Sequence, residues 1–253
     1  MVYIQGERSA HLSFIAPEDS CDTPRLVKMM EYFAEQAGEK GAFNILAEVE
    51  DSHPALEAIR RAGFSIYSWQ HIWHLPDASK VPAVKSDLWQ PTSYIDETAI
   101  RNLYQSLVPP LIQAAEPFLS HTPTGLVYRQ DGEILAFVEA ISGLRGIYLL
   151  PVIHPEVKDV GALIRDLLHV LPGMGRPLYM AVRSYQAWLE HSLVELLATA
   201  SPRQALLVKH MTLQQRVSVV APSRLNVLER RRTEPSSSIV QNMASSGESK
   251  TVS

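Results

Sequence analysis

Residues 43–73 have the sequence FNILAEVEDSHPALEAIRRAGFSIYSWQHIW, and this stretch decides the fold. Its first eight residues, 43–50, are rich in strand-forming side chains. Ser52 and Pro54 then favour the start of a helix, and Gly63 predicts its end because glycine adopts the left-handed conformation that follows many helices. Residues 65–75 are again strongly β-forming, with aromatic and β-branched side chains. The stretch therefore predicts strand, helix and strand.

The same order of elements occurs twice in the chain. Upstream, residues 11–17 predict a buried strand, and an amphipathic helix is predicted to begin near Thr23 and end at Gly38. Residues 146–211 repeat the order strand, helix, strand, helix, strand, displaced by roughly 135 residues. The second helix of this copy is predicted over residues 185–198. Two copies at so long a period indicate paired units and not a solenoid.

Shifts in composition divide the chain into segments. Residues 77–88 contain prolines and charges without apolar periodicity, which indicates a linker. The segment after it adds an early helix and a hairpin at Asp131-Gly132, a dipeptide that favours a type I′ turn. The last residues are serine-rich and lack aromatic side chains, a composition that does not form a core. We predict four segments: a partial unit over 1–76, a linker over 77–88, a complete unit over 89–219 and a disordered tail over 220–253.

This layout resembles the GNAT N-acetyltransferase superfamily. Residues 43–73 are similar to its closing segment, a strand, then a helix ending in Gly-Phe, then a long strand. The resemblance implies an α/β fold with two GNAT-like units, each a mixed, mostly antiparallel sheet with helices on both faces. The first unit resembles only the C-terminal half of such a domain. Either the chain begins inside that unit, or the two units share one sheet.

The resemblance also implies acetyl-CoA as cofactor. The family binds its pyrophosphate on backbone N–H groups of a glycine-rich loop before the central helix. The corresponding loops are residues 18–25 and 155–161, and neither contains the family motif. The residues that remain as cofactor-binding candidates are Thr23, Arg25, Lys158 and Gly161.

Two residues are candidates for catalysis. Glu48, on the strand of residues 43–50, is the candidate general base if burial raises its pKa enough to accept a proton from an ammonium group. Glu50 is the alternative carboxylate on that strand. The family often places a tyrosine four residues before the Gly-Phe pair, where this chain has Ile59, so Tyr185 is the candidate general acid. The structural alternatives are an exposed strand edge for Glu48 and plain packing for Tyr185.

Composition and charge exclude several classes of protein. The chain has 253 residues, 46% of them hydrophobic, and this suffices for a core. Its net charge of -4 offers no basic field for nucleic acid. His71 and His74 point to opposite faces of a strand, so no metal site is predicted. No apolar run is long enough to cross a bilayer and the one cysteine, Cys21, predicts a reducing compartment, so the expected location is the cytoplasm.

Three functional hypotheses follow. The first is an acyl-CoA-dependent N-acetyltransferase acting on a small-molecule or peptide amine. The second is a catalytically silent GNAT-like module that binds a ligand or a partner. The third is self-association into a homodimer through the aromatic strand Trp69 to Trp73, used as a sheet edge. An open gap between the two parallel strands at a central helix favours the enzyme, and a gap filled by side chains favours the silent module.

Overall fold

The computed structural model describes residues 2–3, 9–13, 24–81, 88–118, 124–171 and 176–211, all within one compact unit, residues 1–213. The predicted tail, 220–253, and Thr23 lie outside these residues. The strands are β1 (Val2–Tyr3), β2 (Ser9–Leu12), β3 (Asn44–Glu50), β4 (Ser65–His74), β5 (Trp89–Pro91), β6 (Gly125–Gln130), β7 (Glu133–Gly143), β8 (Gly146–Ile153), β9 (Leu178–Arg183), β10 (Thr199–Ala200) and β11 (Gln204–His210). The α-helices are α1 (Pro24–Glu39), α2 (Ala55–Arg61), α3 (Glu97–Leu107), α4 (Pro110–Ala115), α5 (Val160–Val170) and α6 (Glu190–Glu195).

The described strands form a single sheet in the order β1-β2-β3-β11-β4-β9-β8-β7-β6-β5, with β10 beside β4. The pairs β2·β3 and β8·β9 are parallel, and the others are antiparallel. The predicted fold class, α/β with a mixed and mostly antiparallel sheet, is confirmed. Of the two alternatives for the first unit, the sheet order is that of two halves that share one sheet.

The two halves exchange their last strands. Strand β4, which closes the first copy of the repeat, pairs with β9 of the second copy, and β11, which closes the second copy, pairs with β3 of the first. The exchanged strands β4 and β11 lie side by side, with Gln70 opposite Gln204. Because β4 is bonded along both sides, it is not an edge. The hypothesis of a homodimer through residues 69–73 as a sheet edge is therefore wrong.

Helices cover both faces of the sheet. On one face, α1 and α2 pack on Ile45 and Leu207, and α5 and α6 pack on Met180 and Val182. On the other face, α3 and α4 pack on Leu46, Leu206, Val127 and Phe137. Neighbouring residues such as Ile45 and Leu46 enter opposite cores because side chains alternate along a strand. The described residues thus form three apolar clusters around one sheet.

Local signals in the sequence are largely confirmed. Asp131 and Gly132 have φ of 53° and 88°, as a type I′ turn requires. Asp159 begins α5 by accepting a hydrogen bond from the Ala162 N–H at 2.8 Å, and Gly63, with φ of 87°, follows α2. The predicted single helix over 185–198 is wrong. It is a 3-10 helix, Ser184–Leu189, with a kink at Gln186, followed by α6.

Gly125 stands where β6 and β7 approach too closely for a side chain. A Cβ there would overlap the Val138 carbonyl oxygen and lie 3.0 Å from its carbonyl carbon. We expect Gly125→Ala to lower the free energy of unfolding by about 1.5 kcal/mol, because backbone in a paired strand has to move. Urea denaturation measures the change. Gly143→Ala is the control, since its Cβ would meet no atom closer than 3.6 Å; equal losses in both variants would contradict the clash.

Candidate functional site

A row of polar side chains crosses the sheet where the exchanged strands meet. Glu50, Gln204, Gln70 and Arg183 stand opposite one another on β3, β11, β4 and β9. The Gln70 Nε2 group donates to Gln204 Oε1 at 3.0 Å and to Glu48 Oε2 at 3.3 Å. Gln70 is only 1% exposed, and its Oε1 atom has no hydrogen-bond partner among the residues that the structure describes. An unpaired buried acceptor is costly, so this position favours a bound donor.

A partly buried ion pair borders this row, in which the Arg183 side chain is 11% exposed and the Glu116 side chain 29% exposed. Arg183 donates to both carboxylate oxygens of Glu116, at 2.9 and 3.0 Å. The Tyr67 hydroxyl donates to the same carboxylate, and the Tyr104 hydroxyl donates to the Glu116 backbone oxygen at 2.6 Å. Because Glu116 directly follows α4, these bonds hold the end of that helix on the sheet. They also raise the pKa of Arg183 despite its burial, so the guanidinium stays charged.

Glu48 lies at the open side of the same cluster. The residue as a whole is exposed, whereas protein groups crowd its carboxylate; we interpret the two observations together as a group that lines a cleft. Burial raises the pKa of Glu48, and Glu116 raises it further, while Arg183, His11 and the Gln70 amide oppose the shift. The direction of this shift is the one that a general base at Glu48 would need.

Two tyrosines complete the surroundings of the cleft. Burial raises the pKa of Tyr148, and the charge of Glu48 adds to the effect. Burial raises the pKa of Tyr185 to about 12, with Arg183 opposing and Glu116 adding. Both hydroxyls are protonated at neutral pH and can donate hydrogen bonds. The structure therefore brings the two catalytic candidates, Glu48 and Tyr185, near the same Arg183–Glu116 pair. We call these residues, with Gln70 and Gln204, the polar cleft.

The raised pKa of Glu48 predicts a pH-dependent stability. The unfolded chain titrates near the ordinary value of 4.5 and the folded chain above it, so the folded state binds the proton more tightly. Stability is then lost as the pH rises through the folded pKa. We expect Glu48→Gln to melt at a higher temperature than the natural chain at pH 8 and at the same temperature at pH 4. Thermal melts at the two pH values, with the exposed Glu50→Gln as charge control, test this; a gain of equal size at both values contradicts it.

The parallel strands β8 and β9 separate beyond their first three pairs. They pair from Ile147 with Leu178 to Leu149 with Met180 and no further. Gln186 fills the wedge beyond that point: its Oε1 accepts from the Ile153 N–H at 2.9 Å, and its Nε2 donates to the Pro151 oxygen at 2.8 Å. The gap in the second half is thus filled by a side chain, which is the arrangement that favours a silent module.

The cofactor-binding candidates of the second half, Lys158 and Gly161, lie at the start of α5. Lys158 is exposed, and the Asp159 carboxylate already accepts the Ala162 N–H that a phosphate would use. A Cβ at Gly161 would lie 3.4 Å from the Arg165 guanidinium and 3.5 Å from Asp159 Oδ1, which are ordinary contact distances. In the second half, the Gln186 carboxamide thus occupies the wedge beside β8, and the Asp159 carboxylate occupies one N–H group at the start of α5.

The corresponding place in the first half is only partly described. Arg25 is exposed in the first turn of α1, whereas Thr23 and the loop before it lie outside the described residues. In the described part of the chain, no three His, Cys, Asp or Glu side chains converge as a metal site would need. No described helix is long and apolar enough to span a membrane.

Most residues of the polar cleft were not predicted from the sequence. Arg183, Glu116, Gln70 and Gln204 were not singled out, although Gln70 and Arg183 carried a signal, since each interrupts or ends a strand that is otherwise apolar or aromatic. A buried polar residue in such a strand needs a partner, and the partner indicates a site. Glu116, in contrast, follows a short helix and has no distinctive sequence context.

The order of elements decides the type of fold. From Trp89 onward the chain has an edge strand, helices α3 and α4, the hairpin β6–β7, strand β8, helix α5, strand β9 parallel to β8, helix α6 and a closing strand. This is the order that the resemblance implied. The fold is GNAT-like. The first half contributes the closing part of the same arrangement, β2, α1, β3, α2 and β4.

Comparisons with known proteins find a likeness among solved structures. No family model and no curated protein matches the chain. Among solved structures, the chain is similar to a functionally unknown conserved protein from Staphylococcus epidermidis, with a TM-score of 0.55, 11% identity and coverage of 80% of this chain and 84% of that chain. Two others each have a TM-score of 0.46. One is a GCN5-related N-acetyltransferase from Sphaerobacter thermophilus, with 12% identity and coverage of 75% and 71%. The other is a tandem GNAT protein from the clavulanic acid biosynthesis pathway, with 16% identity and coverage of 82% and 77%.

Proposed function

We propose that this chain is a GNAT-like binding module whose ligand is a small-molecule or peptide amine held in the polar cleft, and that its second half transfers no acyl group. The observation that carries the proposal is the environment of Glu48, an exposed residue whose carboxylate is surrounded by protein groups. The Gln70 Nε2 group donates a hydrogen bond to one oxygen of this carboxylate. An ammonium group is the natural partner of such a carboxylate.

The charges around the cleft support a cationic ligand. Arg183 and Glu116 neutralise each other through two hydrogen bonds. Among the described residues no salt bridge reaches Glu48, and Arg183 and His11 attract its charge only from a longer distance. The Gln70 Oε1 atom adds a second acceptor, with no hydrogen-bond partner among the described residues. A protonated amine supplies both the positive charge and several N–H donors.

Calorimetric titration of the whole chain tests the proposal. The ligands are a set of primary amines and short lysine peptides, each paired with the alcohol or the acetylated peptide of the same shape. We expect amines to bind and their uncharged counterparts not to bind. The affinity should fall as the pH is lowered through the raised pKa of Glu48, since protonation removes the charge. Absence of binding by every amine at millimolar concentration would overturn the proposal.

One observation favours a second candidate function, acyl-CoA-dependent N-acetylation of that amine. The raised pKa of Glu48 suits a general base, which takes a proton from the ammonium group and leaves a neutral nucleophilic amine. Acetyl-CoA, bound by the first half, would supply the acyl group. Tyr185, protonated at neutral pH, is the group that could return a proton to a leaving thiolate.

The two functions differ in turnover. Incubation of the chain with acetyl-CoA and an amine that binds releases free thiol only if an acyl group is transferred. The binding module predicts no thiol above the background without protein. Thiol release that needs both the amine and Glu48 would instead assign the acetyltransferase function to the first half.

A further inference from the structure

We infer that the Gln186 side chain fills a slot that would otherwise accept an extended ligand with amide groups. It thereby closes the second half to such a ligand. The slot is the wedge that opens where β8 and β9 stop pairing, after Leu149 and Met180. One wall is the edge of β8, whose backbone groups at Pro151 and Ile153 face the wedge. This inference does not depend on the amine site.

The Gln186 carboxamide imitates one peptide unit of a neighbouring strand. In a parallel pair, a residue donates its N–H to the residue before its partner and accepts from the residue after it. Gln186 does the same with its side chain: Nε2 donates to the Pro151 oxygen at 2.8 Å, and Oε1 accepts from the Ile153 N–H at 2.9 Å. The side chain therefore completes the edge that β9 leaves open, and an extended ligand with secondary amides would use the same two groups.

The backbone around Gln186 is adapted to this contact. Its φ of -114° and ψ of 21° interrupt the 3-10 helix Ser184–Leu189, and this kink separates the position from regular helix. The side chain is 2% exposed, and both polar atoms of its amide are bonded. A buried amide satisfied at both ends is a stable part of the fold, so the slot is closed in the resting protein.

The first half has a different residue at the position of Gln186. When the two copies of the repeat are aligned so that Arg183 corresponds to Glu50, Gln186 corresponds to His53. His53 has a different role: its Nδ1 accepts from the Ala55 N–H at 3.1 Å, within its own helix start. The two halves are therefore unequal. The ligand excluded by Gln186 has the chemistry of the pantetheine arm of coenzyme A, an extended chain with two secondary amides.

Amide NMR on the whole chain tests the inference, with ¹⁵N-labelled isoleucine and pantetheine as the probe. In the natural chain the Ile153 amide signal should not move with millimolar pantetheine. In Gln186→Ala, which empties the slot, we expect the Ile153 amide to exchange faster with solvent and to shift and regain protection when pantetheine is added. Gln186→Leu is the matched control, because it loses the same hydrogen bonds but keeps the slot filled, and it should show no shift.

Each result decides the matter. A pantetheine-dependent shift of Ile153 in the natural chain would mean that Gln186 does not close the slot. No shift in Gln186→Ala, when that variant keeps the cooperative melt of the natural chain, would mean that the wedge is not a slot for such a ligand. If Gln186→Ala does not fold, the Ile153 shift is compared between Gln186→Ser and the natural chain instead. Amine binding in the polar cleft is measured separately by calorimetry, so failure of either proposal is distinguishable from failure of the other.

Discussion

Glu116→Ala is expected to lower the free energy of unfolding by about 3 kcal/mol. The Arg183 side chain is 11% exposed, and without Glu116 its charge has no other carboxylate in a salt bridge among the described residues. The Tyr67 hydroxyl loses its acceptor as well. Breaking one side of a buried pair is costly because the remaining charge is desolvated and uncompensated. Urea denaturation at pH 7 measures the loss.

Two further variants separate this effect from loss of a surface charge. Glu57→Ala removes an exposed carboxylate that pairs with Arg60 and Arg61, and we expect a loss of about 0.3 kcal/mol. The double variant Glu116→Leu with Arg183→Met removes both buried charges and should recover most of the stability, since no lone charge remains. A loss below about 1 kcal/mol in Glu116→Ala would show that water screens the pair, contrary to the buried geometry.

Local and repeating signals made much of the fold predictable. The strands and helices of residues 43–74 and the hairpin at Asp131-Gly132 each depend on neighbours within a few residues. The two copies of the repeat were visible for the same reason. The exchange of β4 and β11 was not, because periodicity tells which face of a strand is buried but not which strand pairs with it.

The site was less predictable because its contacts are remote in sequence. Gln70 and Gln204 are 134 residues apart, and Arg183 and Glu116 are 67 apart. Glu48 was a candidate as a strand carboxylate whose pKa burial would raise. Burial does raise its pKa, and Glu116 adds to the shift while Arg183 opposes it, and only the fold brings these groups near. Gln186 escaped notice because residues 185–198 suggested one continuous helix. The kink that turns its side chain into the sheet has no glycine or proline to mark it.

Glu48→Gln is expected to weaken amine binding about thirtyfold, equivalent to about 2 kcal/mol. The substitution keeps the shape of the side chain and its hydrogen bond with Gln70, but it removes the charge that faces the ammonium group. The same variant should abolish the pH dependence of binding between pH 4 and 7, because the titrating carboxyl is gone. Calorimetry across that pH range measures both effects.

Glu50→Gln is the matched control for this experiment. Glu50 is two residues away on β3, exposed and outside the hydrogen bonds of Gln70, so its loss removes the same charge from the same strand without changing the cleft. We expect less than a threefold effect, from long-range attraction that salt screens. If both variants weaken binding equally, the amine responds to the net charge at this end of β3. A large effect of Glu48→Gln alone means that the ammonium group contacts Glu48, because only a group in contact distinguishes two carboxylates on one strand.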